Sequence, residues 1–411
     1  MRILFLSDNF SPEVNAPASR TFEHCREWVR QGHEVTVITC VPNFPTGRVF
    51  AGYRNRLWQV EQQDGIKVVR VWSFIAANEG FALRILDFLS FMLTSAVAGL
   101  FVRRPDVIVG TSPQFFTACS AWFLGAVRRR PFVFELRDIW PESIKVVGAM
   151  KDSLAIRLLE RLEMFLYRRA RLIIAVTHGF RDTLARRGID PRKVVVVTNG
   201  ADLSRFTPRP AAAGLRASLG LRDDDFVVGY IGTHGMAHGL QTLLRAALRL
   251  QGHPAGAHCR FLFVGNGADK SRLVASATEM GLKNVRFVDP VPKDKVVDYW
   301  SVLDVSVLHL LNQPLFATVI PSKLFESMAM GVPVLSSVPG ETQSIVATAG
   351  AGVAFRAEDD EDLALQILSL AADPAAVASM RERAAKAAPG FDRARLAARM
   401  LEYLASCTGA S

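Results

Sequence analysis

Short runs of Ile, Val, Leu and Phe alternate along the chain with longer stretches in which apolar residues recur at helical spacing. That alternation predicts parallel sheets covered by helices. In the first half the strands fall at Ile3–Leu6, Glu34–Ile38, Lys67–Val71, Asp106–Val109, Phe132–Glu135, Leu172–Val176 and Val194–Val197. A helix beginning near Ser19 and closed by Gly32 fills the first long gap. After a Pro/Ala/Gly-rich stretch from Pro208 to Gly214 the pattern restarts, with strands at Phe226–Ile231, Arg260–Val264, Val285–Phe287, Val305–Leu308, Pro333–Ser336 and Gly352–Phe355.

The implied class is α/β, with two Rossmann-like, doubly wound parallel-sheet domains. Residues 1–203 form the first, 204–214 a linker and 215–390 the second, while a last helix at 391–406 is free to pack back and is expected to join the first domain. A length of 411 residues fits two cores better than one. Ligands of such sheets bind beyond the carboxyl ends of the strands, so two facing sheets predict a cleft with one substrate on each wall.

Charge makes the two halves unequal. Residues 1–200 hold 28 Lys and Arg against 18 Asp and Glu, and residues 201–411 hold 21 of each, so the whole net charge of +10 lies in the first half. A one-sided field of this kind suits an anionic surface or substrate: phospholipid headgroups, nucleic acid or a lipid diphosphate. The apolar segment Phe81–Val102 is interrupted by Arg84 and Asp87, and its uncharged remainder is shorter than the roughly 20 residues of a membrane span. It reads as a core helix or an interfacial one, with Arg103 and Arg104 at its end placed to meet anionic lipid. The five cysteines are scattered without a C-x-x-C pair and read as reduced, cytosolic thiols. The opening "MRILFLSDNF" has too short an apolar run for a signal peptide.

Several motifs carry candidate chemistry. In "GTHGMAHGLQTLL" the glycines Gly232, Gly235 and Gly239 allow close backbone approach to a ligand before a helix begins. His234 and His238, four apart, are read as diphosphate contacts, as structural residues or as a metal pair, with Thr233 beside them. "FVGNG" repeats the device with Gly265 and Gly267. In "VIPSKLFESMAMGVPVL", Ser322 is a helix cap, Lys323 stands one residue inside and Glu326 one turn further on. A lysine at a helix start suits a phosphate, and a carboxylate suits a vicinal diol such as ribose. The alternative is a Ser-x-x-x-Glu cap with a surface lysine. "FELRDIWPES" places Arg137 and Asp138 at the end of a strand, where Asp138 can accept from a sugar hydroxyl, act as a base, or pair with Arg137. "DNFSPEVNAPASR" offers Asn15 and Arg20 after the first strand, and "VVTNGADLSRF" offers Asn199 at the domain junction. The acidic runs Asp223–Asp225 and Glu358–Asp362 read as a turn and a charged first helical turn.

Together these motifs resemble the retaining GT-B glycosyltransferases of family 4. "RDIWPES", "GTHGMAHGL" and "IPSKLFE" look most like bacterial O-antigen and capsule transferases, L-fucosamine transferases among them. The resemblance implies that the second domain holds a nucleotide-sugar, UDP-linked, and the first receives a polyprenyl-diphosphate-linked glycan. It implies no metal, no nucleic acid, and a cytoplasmic enzyme resting on the anionic face of the inner membrane. Glu326 matches the second glutamate of the family's E-x7-E pattern, a ribose ligand. The first glutamate falls at Thr318, which points to a deoxy or N-acetylated amino sugar. The family's Arg and Lys in the glycine loop are also replaced, by Thr233 or His234 and by His238, which leaves Lys323 to supply the diphosphate charge.

Overall fold

The computed structural model describes residues 1–44, 46–75, 81–140, 154–292 and 294–409. Pro141–Ser143, the end of the "RDIWPES" motif, lie outside them. The chain divides into two compact units, Met1–Asn199 with Arg393–Ser411, and Gly200–Asp392.

The first unit is built on an eight-stranded sheet in the order β3-β4-β2-β1-β5-β6-β7-β8. Its strands are β1 (Arg2–Leu6), β2 (Glu34–Thr39), β3 (Trp58–Gln63), β4 (Ile66–Val71), β5 (Val107–Thr111), β6 (Phe132–Leu136), β7 (Leu172–Ala175) and β8 (Val194–Val196). All neighbours pair in parallel except β3 and β4. Strand order reverses between β1 and β5, so the ligand position of this sheet lies beyond their carboxyl ends. Edge strand β3 escapes the hydrophobic pattern because WQVEQQ is mostly polar and partly exposed throughout. The sequence signal for it is the turn Asp64-Gly65, whose φ values of 48° and 81° are those of a tight hairpin.

Helices α1 (Ala16–Arg30), α2 (Phe81–Phe101), α3 (Phe115–Arg128), α4 (Leu154–Arg169) and α5 (His178–Arg186) accompany this sheet. Helix α1 starts before Ser19 because the Asn15 side chain accepts from the amide of Ala18 and Pro17 suits the first turn. Helix α2 runs unbroken through Arg84 and Asp87, and Asp87 is hydrogen-bonded to Ser73. By length and composition Leu83–Phe101 is apolar enough to cross a membrane, and 22% of that window is buried. One side of the helix is nevertheless fastened to α3. Ser95 meets Ser120, Gly99 abuts Leu124, and the Arg128 guanidinium holds the carbonyls of Gly99, Leu100 and Val102. The other side leaves Leu83, Leu86, Leu93, Val97, Leu100 and Phe101 exposed.

The second unit carries a six-stranded, all-parallel sheet in the order β11-β10-β9-β12-β13-β14. These are β9 (Phe226–Ile231), β10 (Cys259–Val264), β11 (Val285–Val288), β12 (Val305–Leu308), β13 (Val334–Ser336) and β14 (Gly352–Ala354). Its helices are α6 (Leu215–Ser218), α7 (Gln241–Gln251), α8 (Lys270–Glu279), α9 (Val296–Trp300), α10 (Lys323–Ala329), α11 (Glu341–Ala349), α12 (Asp360–Ala371) and α13 (Pro374–Ala387). Strand alternation divides the buried side chains between two cores: Val227, Ile231, Leu262 and Val264 face one, Val228, Tyr230, Phe261 and Phe263 the other. The stretch read as a linker lies within this unit. Phe206 is buried in its core, Ala211 packs on it, and Arg209 pairs with Asp298. The two crossings between units are instead at Asn199–Gly200 and Asp392–Arg393.

The last helix, α14 (Arg393–Cys407), belongs to the first unit. Its Leu396, Ala397, Met400, Leu401 and Leu404 join Ile3, Phe5, Trp28 and Val37 in one core, the Trp28 indole donates to the Ala397 carbonyl, and Arg393 pairs with Glu23. Truncating a side chain this deep should act as a core cavity. Met400→Ala is expected to lower stability by about 2–5 kcal/mol in urea unfolding of the full chain. An unchanged midpoint would show that the helix is not part of the folded core.

Candidate functional site

In the second unit, strand order reverses between β9 and β12, and the candidate residues gather beyond the carboxyl ends of these strands. Strand β9 ends in Gly232, whose φ of +140° suits glycine. A Cβ there would stand 3.2 Å from Lys323 Nζ, so the lysine of α10 reaches the mouth of the glycine loop. The ammonium sits 3.6 Å from the centroid of the Tyr230 ring. Tyr230 is itself buried, and its hydroxyl donates to the Thr233 carbonyl, which ties the ring to the loop. The sequence reading missed Tyr230 because it looks like one more apolar strand residue.

Burial pushes Lys323 down to about 7, with Glu326 opposing the shift. Among the described residues no hydrogen bond reaches its ammonium, so the lysine has donors to offer an incoming oxyanion. Helix α10 has only seven residues and Ser322 makes no side-chain cap. The cap expected of Ser322 is therefore absent, and the positive charge at this helix start is the ammonium's. Glu326 lies half-buried one turn further on. Thr318 closes a short 3-10 turn, Pro314–Thr318, and its hydroxyl donates to the Leu315 carbonyl.

Glycines Gly265 and Gly267 have a different use from the one expected. A Cβ at Gly265 would run into the Gly232 carbonyl, and one at Gly267 into the His234 carbonyl. These glycines let the second loop press against the first. The join is hydrogen-bonded in both directions: the His234 amide donates to the Asn266 carbonyl, and the His234 carbonyl accepts from the Asp269 amide, each at 2.9 Å.

The histidines also depart from expectation. The ring of His234 is fully buried among Tyr230, Phe263 and Phe287, with no hydrogen-bond partner for either nitrogen among the described residues. Burial, helped by Lys270 and Lys323, pushes it down to about 4, so it is a neutral core residue and not a diphosphate contact. His238 is half-buried and pushed down to about 3 by burial and by Lys323, so it brings no charge near neutral pH. Nor do the pair share a helix face, because a 3-10 turn, Met236–His238, separates them. Gly239, at φ 54°, leaves room for His309 at the end of β12. His309 Nδ1 donates to the His238 carbonyl at 2.7 Å, and Nε2 accepts from the Glu358 amide at 3.0 Å, which fixes a neutral tautomer and buttresses the loop. His309 was also missed; its only sequence signal is a polar residue just past a buried strand.

In the first unit, Arg20 is not offered to a ligand. It is almost fully buried and holds Glu135 Oε1 at 2.9 Å, the carbonyls of Val197 and Thr198, and Asn199 Oδ1. Burial disfavours the Glu135 carboxylate, yet Arg20 and Arg137 together with the Thr111 hydroxyl hold its carboxyl below the usual range. Asn15 serves α1 as its cap and Asn199 is engaged by Arg20, so all three residues read as acceptor-side are structural. Arg137 and Asp138 follow β6 and are partly exposed, with both amides donating to Ser112 Oγ. Burial moves Arg137 down to about 10, still charged at neutral pH, and its guanidinium donates to the Pro17 carbonyl.

The Lys323 environment makes a stability prediction. Its folded pKa of about 7 lies below the ordinary 10.5, so between these values the unfolded chain binds more protons and stability rises with pH. Below the window the buried charge is present and destabilising. Lys323→Met should therefore melt higher than the parent at about pH 6, with the gap shrinking toward about pH 10. A gap independent of pH would contradict a buried, depressed lysine.

Comparison with known proteins agrees with this architecture. A glycosyl transferase 4-like domain model matches residues 15–200, and a glycosyl transferases group 1 model matches residues 213–389. The chain is 27% identical over 341 residues, 80% of its own length and 82% of the relative's, to WcaI, a glycosyl transferase assigned to colanic acid biosynthesis in Escherichia coli (strain K12). It is 30% identical to the D-inositol 3-phosphate glycosyltransferase of Rhodococcus jostii (strain RHA1), over 56% of this chain and 51% of that one. Among solved structures, the sucrose-phosphate synthase of Thermosynechococcus elongatus superposes with a TM-score of 0.76 at 19% identity, covering 100% of both chains. HepE of Anabaena, solved with UDP and glucose, superposes with a TM-score of 0.74 at 19% identity over 99% of this chain and 100% of that one. With one family model on each unit and two parallel-sheet domains of matching topology, the chain belongs to the GT-B glycosyltransferases of the family 4 type.

Proposed function

We propose that this glycosyltransferase moves a sugar from a UDP-linked donor, with retention, to a polyprenyl-diphosphate-linked glycan in surface-polysaccharide assembly. The observation that carries the donor half is Lys323, an ammonium without a hydrogen-bond partner among the described residues, set over Tyr230 at the mouth of a glycine loop. Its charge answers a diphosphate without a metal, while Glu326 is placed one turn away for ribose hydroxyls. HepE, solved with UDP-glucose, supports a uridine diphosphate donor, and WcaI supports a role in polysaccharide biosynthesis. Thr318, in place of an acidic residue, makes a deoxy or N-acetylated amino sugar the preferred cargo. The leaving diphosphate assists deprotonation of the acceptor hydroxyl on the face from which it departs, and Asp138 is the base that receives that proton. The exposed apolar side of α2 lies on the membrane surface and brings the enzyme to its lipid-linked acceptor on the cytoplasmic face.

A lysine that is half-neutral at about pH 7 should gain a proton when a diphosphate binds. Calorimetric titration with UDP at about pH 8, in buffers of different ionisation enthalpy, is expected to show uptake of roughly one proton, falling toward none at about pH 6. Lys323→Ala should lose this uptake and about tenfold to a hundredfold in affinity, the scale of a charge-assisted hydrogen bond. Unchanged affinity and turnover in that variant would sink the donor assignment. For Asp138→Asn, unchanged UDP binding with turnover lowered by about a hundredfold is expected, and near-normal turnover would remove Asp138 from the mechanism. Incubation with donor alone should leave it intact, whereas an epimerase would convert it.

A further inference from the structure

The opposite edge of the first unit's sheet holds a second feature. A cavity of about 480 Å3 opens where strands β6, β7 and β8 begin. Arg130, Arg171 and Lys193 precede those strands, and all three line it together with Arg169 at the end of α4. Four cationic side chains meet there, and among the described residues no carboxylate lines the walls. Arg130 Nε is buried without a hydrogen-bond partner among the described residues. Lys193 Nζ already caps the carbonyls of Arg168 and Tyr167, so it is held in place. This edge is remote from the carboxyl ends of the strands, so the cavity is not part of the site described above.

What adjoins the cavity narrows its ligand. Trp122, on α3, forms part of the wall and packs edge-on against Phe165, with ring centroids 4.9 Å apart. The next residue on α3, Phe123, and then Val127 are exposed, beside the exposed apolar side of α2 that ends in Leu100 and Phe101. Arg103, Arg104 and Arg129 surround the same helix ends. A basic cavity with an aromatic wall at the end of an apolar stripe has the layout of a surface that meets both lipid chains and their headgroups.

We propose that this cavity binds the phosphate of an anionic phospholipid headgroup while the α2–α3 stripe contacts the acyl region. The proposal rests on the membrane-surface reading of α2 above and assigns it a specific headgroup site. Binding here fixes which side of the first unit meets the membrane.

The test uses the full chain and vesicles of phosphatidylcholine, alone or mixed with phosphatidylglycerol, with binding measured by co-sedimentation. The parent should prefer the phosphatidylglycerol mixture. R130Q/R171Q should lose about twentyfold to thirtyfold on that mixture, at roughly a fivefold loss for each surface charge. It should be unaltered on phosphatidylcholine, in UDP affinity and in melting temperature. R222Q/R286Q, which removes the same charge from exposed positions of the second unit, should bind nearly as the parent does. L93S/V97S should weaken binding to both vesicles. If R130Q/R171Q does not fold, R169Q takes its place with an expected loss of about fivefold.

The proposal falls if the cavity variant binds as the parent does, or if the second-unit variant loses as much. It also falls if inorganic phosphate at matched ionic strength displaces the protein from the mixture, which would make free phosphate the ligand. If the parent binds neither vesicle, the membrane reading of α2 fails together with the headgroup site. If only L93S/V97S weakens binding, the membrane reading stands and the headgroup site fails.

Discussion

The candidate donor site depends on a backbone contact: the loop after β10 pressed against the loop after β9, with no side chain between them. At Gly265 any Cβ would meet the Gly232 carbonyl, and the two hydrogen bonds through His234 lock the loops in that register. The polar groups of the glycine loop are placed by this contact. It holds Thr233, whose carbonyl anchors Tyr230, and Tyr230 in turn supplies the face on which Lys323 rests. From the other side His309 links the His238 carbonyl to the Glu358 amide, so the loop is supported at both ends by neutral hydrogen bonds. A loop held in this way orders its amides before a ligand arrives, which reduces the entropy lost on binding.

The first unit solves the corresponding problem with a buried ion pair. Arg20 of α1 reaches Glu135 at the end of β6 and the carbonyls that follow β8, joining elements distant in the chain just beyond the strand ends. Such a pair gives little net stability, because both charges are desolvated, but removing either partner strands the other in the core. Its value is in fixing geometry: the segment after β6 that carries Arg137 and Asp138 is tied to α1 and β8, and Ser112 takes both of their amides.

Much of this architecture was legible in the sequence, because burial on both faces of a parallel sheet leaves near-continuous apolar runs. Each such run proved to be a strand, while β3, a half-exposed edge strand, left no apolar run to read. The return of α14 to the first unit was expected, but the contacts that hold it, such as Trp28 with Ala397, join residues far apart in the chain and no local pattern encodes them. At the site, Lys323 was recognisable as a charge in an apolar setting. The roles of the glycines and of His234 were not, since a glycine needed for a ligand and one needed for a neighbouring carbonyl have the same sequence. The same limit applies to Arg20, where only the fold shows that its hydrogen bonds are already made.

The placement of positive charge accounts for an otherwise odd pair of features, a glycine loop with neutral histidines and a lysine depressed to about 7. A permanent cation half-buried over Tyr230 would weaken the fold, since desolvating a charge is expensive without a partner. A lysine close to half-neutral avoids much of that cost. His238, pushed far below neutral pH by the same burial and by Lys323 itself, adds no competing charge. The loop's geometry is thus kept by neutral groups, and the lysine beside them is held close to half-neutral near pH 7.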